Sequence, residues 1–89
     1  LDVRYANGEG PINTENKCAI RMLYINGQEA GAIVMPQRGI DEWLSTGFSN
    51  MLRIKLKEGV NELSLRHEID NMNGTVNTAL LQYVRIIRQ

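Results

Sequence analysis

The single tryptophan, Trp43, is the residue in this 89-residue chain best placed to bind something. It sits in a stretch rich in Pro, Gly and Asp rather than in an alternating run. A flat indole can stack on the apolar C–H face of a sugar ring while amide side chains bond the hydroxyls, which is how small-ligand sites combine an aromatic body with a few polar groups. Equally, an indole in such a loop can fold over a sheet edge as a plug, since a lone Trp contributes burial first.

The other chemically able residues form no catalytic set. His67 is the only histidine and has no Ser or Cys motif beside it, so a nucleophile–base pair is unsupported, and it reads as a partly exposed strand-end histidine. Asp41 with Glu42, and Glu68 with Asp70, are neighbouring loop carboxylates. Glycoside hydrolysis needs two acids facing each other across a cleft, which adjacency in sequence does not provide. Residues 70–74 (DNMNG) superficially look like a calcium loop, but Met72 takes a ligand position and Leu81 the place of the closing Glu. Cys18, the one cysteine, alternates with Ile20, Met22 and Tyr24 and reads as a small buried hydrophobe; alone it makes neither an internal disulfide nor a thiolate metal site. No glycine-rich loop opens a helix to cradle phosphate. The chain by itself is not expected to be an enzyme.

These residues must be positioned by β-structure. Three Asn-Gly pairs, Asn7-Gly8, Asn26-Gly27 and Asn73-Gly74, mark tight turns, because Asn and Gly tolerate positive φ. Alternation on both sides of the middle pair predicts a hairpin of residues 17–25 and 28–35 with a type I′ turn. Residues 1–6 alternate Leu1, Val3 and Tyr5 against Asp2 and Arg4, as a half-buried strand does. Residues 48–56 set Phe48, Leu52, Ile54 and Leu56 on one face; residues 60–66 return with Leu63 and Leu65 inward. Residues 75–87 are apolar on both faces, predicting a central strand covered on two sides. Residues 40–44 allow one helical turn, with Asp41 and Glu42 at its start. Six short strands with turns between them predict an all-β antiparallel sandwich forming one domain over residues 1–89. Its long loops, 7–16, 36–47 and 68–75, are where binding groups would sit.

Composition narrows the function further. Ten Lys and Arg balance ten Asp and Glu, which argues against a basic surface for nucleic acid or anionic membrane. No apolar run approaches the roughly 20 residues of a membrane helix. No charged-then-apolar leader is seen at Leu1, so no targeting signal is expected within the chain. Hydrophobic residues are 43% of the total, a globular value rather than a disordered one.

In order along the chain stand Arg4-Tyr5-Ala6-Asn7-Gly8, Tyr24-Ile25-Asn26-Gly27, Val34-Met35-Pro36, the loop bearing Trp43, Leu56-Lys57-Glu58-Gly59-Val60-Asn61-Glu62-Leu63, and Asn77-Thr78-Ala79-Leu80-Leu81-Gln82-Tyr83-Val84. The series resembles the carbohydrate-binding modules of families 6 and 35, jelly-roll β-sandwiches of the galactose-binding-like type appended to glycan-degrading enzymes. Each motif is mostly turn chemistry; their order over nearly the whole chain carries the resemblance. It implies a sugar site among the loops, with Trp43 stacking on the ligand, Asn77 or Asn73 hydrogen-bonding it, and Tyr5 and Asn7 matching the family's Tyr and Asn. Gln82 stands where many members carry an aspartate that helps hold a structural calcium, so no cofactor is expected. The family's first strands, with a further ligand-contacting aromatic, have no counterpart here, so the chain reads as the C-terminal part of such a module. The resemblance implies a secreted, periplasmic or cell-surface parent, a glycoside hydrolase or polysaccharide lyase. The expected partners are a carbohydrate ligand and either the parent's catalytic domain or a second copy joined through open sheet edges. The rival expectation is a structural accessory domain that binds no sugar.

Overall fold

The computed structural model describes residues 1–10, 18–68 and 78–88. They form eight β-strands and no helix: β1 (Asp2–Ala6), β2 (Glu9–Gly10), β3 (Ala19–Ile25), β4 (Gln28–Met35), β5 (Gly39–Ile40), β6 (Gly47–Phe48), β7 (Leu63–Arg66) and β8 (Leu80–Arg85). All pairings are antiparallel, in three sheets ordered β6-β1-β8, β2-β5 and β4-β3-β7. The all-β expectation therefore holds among the described residues.

The β3–β4 hairpin forms where the alternation placed it. Its turn has Asn26 at φ 51° and Gly27 at φ 82°, the two positive values a type I′ turn needs. Asn26 also ties the hairpin tip to β7: its N–H donates to Glu62 O at 2.8 Å, and its Oδ1 accepts from Glu62 N at 2.8 Å. Leu1, Val3 and Tyr5 from the β1 end join Ala19, Leu23, Ile25, Ile33 and Met35 in one buried cluster. Leu52, Ile54 and Leu65 pack against it. Cys18 is buried, as its alternation suggested.

Three expectations are corrected. The segment after Phe48 is not a regular strand to Leu56, although it continues beside β1. Ser49 N donates to Val3 O (2.8 Å), Val3 N donates to Ser49 Oγ (2.9 Å), and Leu1 and Leu52 exchange both backbone bonds. A hydroxyl stands in for a carbonyl and breaks the ladder. Phe48 accordingly faces away from the core, with the guanidinium groups of Arg4 (5.1 Å) and Arg85 (3.8 Å) over its ring, while Leu56 is exposed. Residues 40–44 form no helical turn, because Gly39 and Ile40 pair with Gly10 and Glu9 instead and Asp41 turns left-handed at φ 57°. Finally, β8 does not stand as a covered central strand: among the described residues β1 is its only strand neighbour, and its large apolar side chains are exposed on both faces. Residues 75–77 of the expected strand lie outside the described residues.

Candidate functional site

Trp43 sits on a loop spanning residues 36–47 that is anchored residue by residue to the end of β1. Tyr5 is buried, and its hydroxyl donates to Pro36 O at 2.8 Å. Burial raises its pKa above the ordinary tyrosine value, with the Arg38 guanidinium acting in the other direction. Asn7 is also buried. Its Nδ2 donates to Met35 O (3.0 Å), its backbone O accepts from Arg38 N (2.8 Å), and its Oδ1 accepts from Glu9 N (3.1 Å). The loop thus leaves β4 already clamped at Met35, Pro36 and Arg38.

The next contacts fix the indole. Asp41 N donates to Gly8 O at 2.9 Å, and Trp43 N donates to Asp41 O at 2.9 Å. The indole then lies directly on Gly8: a Cβ there would stand 2.8 Å from both Cε2 and Nε1, closer than packed atoms approach. Glycine at position 8 is what lets the ring settle. Trp43 is half-buried, one side spent on this backbone, while Ile40 and Leu44 beside it are exposed, Leu44 at 95%. The loop therefore carries exposed apolar side chains on both sides of Trp43 in sequence. Asp41 and Glu42 are exposed carboxylates on the same loop.

An open groove of about 430 Å³ adjoins the loop base, lined by Tyr5, Val34, Pro36, Gln37, Arg38, Phe48, Ser49 and Asn50. Its polar groups are partly committed. Asn50 Oδ1 accepts from Val34 N (2.8 Å) and its Nδ2 donates to Ala32 O (2.9 Å), so this side chain satisfies the outer edge of β4. Arg38 Nε donates to Ser45 O at 3.3 Å, with the guanidinium lying over Gly47. Trp43 is not among the residues that line this groove.

Of the sequence-nominated residues, Trp43, Tyr5 and Asn7 are brought together: the latter two are the buried supports of the loop that carries the first. Asn73 and Asn77 lie outside the described residues, as does the 70–74 segment. Sequence reasoning missed Arg38, Ile40 and Leu44. Arg38 carried no local signal, since its acceptor and neighbours are set by the loop's path. Leu44 was readable as an apolar residue beside Trp43 in a polar loop.

Gln82 Oε1 accepts from Arg4 Nε at 3.1 Å. A guanidinium so close repels a cation from that oxygen, so this position does not fit calcium. Among the described residues no three His, Cys, Asp or Glu side chains converge. His67 is exposed beyond β7, and Tyr24, under the Arg66 guanidinium at 4.0 Å, donates its hydroxyl to Glu68.

Searches of family models, of curated proteins and of solved structures each return no match to this chain.

Proposed function

We propose that this chain is a non-catalytic carbohydrate-binding module, a jelly-roll β-sandwich that holds a secreted glycan-degrading enzyme on its polysaccharide. The observation that carries the reading is Trp43, fixed with its back on Gly8 in a loop clamped to β1, with exposed Ile40 and Leu44 beside it. A pre-positioned ring loses little freedom when a pyranose lies on it, so stacking converts efficiently into affinity. The ordered motifs from Arg4-Tyr5-Ala6-Asn7-Gly8 to Gln82-Tyr83-Val84 support the same reading. Tyr5 and Asn7 then act as positioning residues, and Asn77 or Asn73 supplies the amide that bonds the sugar. No reaction is assigned to the chain. Its contribution is to raise the local concentration of a tethered catalytic domain at the glycan, a glycoside hydrolase or a polysaccharide lyase.

One ring and a few hydrogen bonds give roughly 4–5.5 kcal/mol, or a Kd of about 0.1–1 mM. Affinity electrophoresis through gels loaded with plant and bacterial polysaccharides tests this directly. The wild type is retarded by at least one glycan and Trp43→Ala runs free in the same gel. Equal retardation of both proteins removes Trp43 from the site.

A second reading is a structural accessory domain that packs on a catalytic domain and binds no sugar. The burial of Tyr5 and Asn7, whose polar atoms are engaged with the backbone, favours it. Trp43 emission separates the two: a response to glycan supports the first, and silence toward the whole panel supports the second.

A further inference from the structure

The sheet β6-β1-β8 ends at β8, which has β1 on one side and, among the described residues, no strand on the other. Its outer N–H and C=O groups are a template for another strand. The register defines its two faces. Val84 lies opposite Val3 and Leu81 opposite Tyr5, on the core side; Tyr83 lies opposite Arg4 and Arg85 opposite Asp2, on the outer side. A bulge at Arg4/Tyr5 leaves Gln82 unopposed and restores the pattern. Both faces are apolar and open: Leu81, Val84 and Ile86 are 49%, 42% and 47% exposed, and Leu80, Tyr83 and Ile87 are 53%, 46% and 51%.

Charge selects the occupant. Residues 78–88 contain no acid, and their basic residues are Arg85 and Arg88. Arg85 is already neutralised, donating to both carboxylate oxygens of Asp2 at 3.0 and 2.7 Å with its guanidinium over Phe48. The strand proper is thus neutral and apolar, and it matches a strand of the same character better than an acidic one. Pairing through the edge covers the flanks of the half-exposed Leu81, Tyr83 and Val84 and leaves both sheet faces open, so the contact lies at the small end of specific interfaces, below ~1,200 Å² for the two copies together.

We propose that β8 pairs antiparallel with β8 of a second copy, joining two sheets into one ordered β6-β1-β8-β8-β1-β6, with the two-fold axis at Val84. This register sets Tyr83 opposite Arg85 of the second copy, twice by symmetry, a favourable cation–π pairing. Centring on Arg85 would oppose like charges. Centring on Tyr83 would set Arg85 against Leu81 and lose both Tyr83–Arg85 cation–π pairs.

Sedimentation velocity of the full 89-residue chain, from about 1 µM to about 1 mM, reads the association; an interface at the small end of the range dissociates near micromolar concentrations. The expected result is a shift from monomer to dimer mass that Val84→Lys abolishes while leaving the far-UV spectrum unchanged. Register is tested independently of that variant by single cysteines in a Cys18→Ala background, with diamide as oxidant. Val84→Cys gives a disulfide-linked dimer, because opposed residues sit about 4.5–5.5 Å apart at Cα, within the roughly 4.4–6.8 Å that a disulfide spans. Ile86→Cys stays monomeric, its two copies being about 13 Å apart. A monomer at 1 mM, a dimer that survives Val84→Lys, or stronger cross-linking of the Ile86→Cys variant than of the Val84→Cys variant each overturns the proposal.

Discussion

Asn7 replaces, with one side chain, several bonds that a regular ladder would supply. Its amide nitrogen donates to Met35 O, and its amide oxygen accepts from Glu9 N. Removing it leaves a buried carbonyl and an N–H without those partners, so Asn7→Ala is expected to cost about 2–4 kcal/mol, two bonds at roughly 1–1.5 kcal/mol plus the desolvation left unmet. The loop that Asn7 holds carries Trp43, so the loss of stability in urea should come with red-shifted, more quenchable indole emission. A cost under about 1 kcal/mol with unchanged emission would show that the loop is held by its other contacts. The sequence nominated Asn7 and Tyr5 as ligand contacts through the family resemblance, while alternation with Val3 pointed Tyr5 inward. Alternation gave the correct burial. What no local pattern reveals is the acceptor, since Met35 lies 28 residues away from Asn7.

The β3–β4 hairpin was legible because its information is local: alternation on each arm and Asn26-Gly27 between them. Gly27 stands at φ 82° with open space around it, so a substitution there is opposed by backbone conformation alone. Gly27→Ala should therefore cost about 1 kcal/mol, and Gly27→Asn less, because Asn tolerates the left-handed region. Thermal unfolding of the two variants checks the ranking; equal losses would point to a packing cause instead. The 48–56 segment was less legible for the opposite reason. Its alternation suits a strand, but Ser49 Oγ takes over a ladder position to Val3, and Asn50 turns its amide onto the edge of β4. Leu52 then packs against Gly31, where a Cβ would be 3.2 Å from its methyl groups. These are long-range choices that a period of two does not encode. Residues 75–87 misled similarly: apolar residues on both faces fit a covered central strand, and equally an edge strand awaiting a partner. Periodicity reports which faces are apolar, not what covers them.

A domain of this size has a small margin of stability, so the protonation of a few groups shifts the whole molecule. Cys18 and Tyr5 have pKa values raised by burial, and Tyr24 has its value raised first by the hydrogen bond to Glu68 and then by desolvation. All three bind their protons more tightly folded than unfolded. Their contribution is therefore fully present below the ordinary values, 9.0 for the thiol and 10.0 for the tyrosines, and is lost as pH rises through the raised ones. The urea midpoint should be insensitive to these groups at neutral pH, begin to fall near pH 9 as unfolded Cys18 ionises, and fall more steeply above pH 10. Two variants assign the steps. Cys18→Ala removes the first decline. Tyr5→Phe shallows the second, at the cost of about 1 kcal/mol for the bond to Pro36 O at neutral pH. Midpoints measured between about pH 7 and 10.5 on wild type and both variants decide the matter. A midpoint that holds through the whole range, or variants that follow the wild-type curve, would show that these protons are held no more tightly in the folded chain than in the unfolded one.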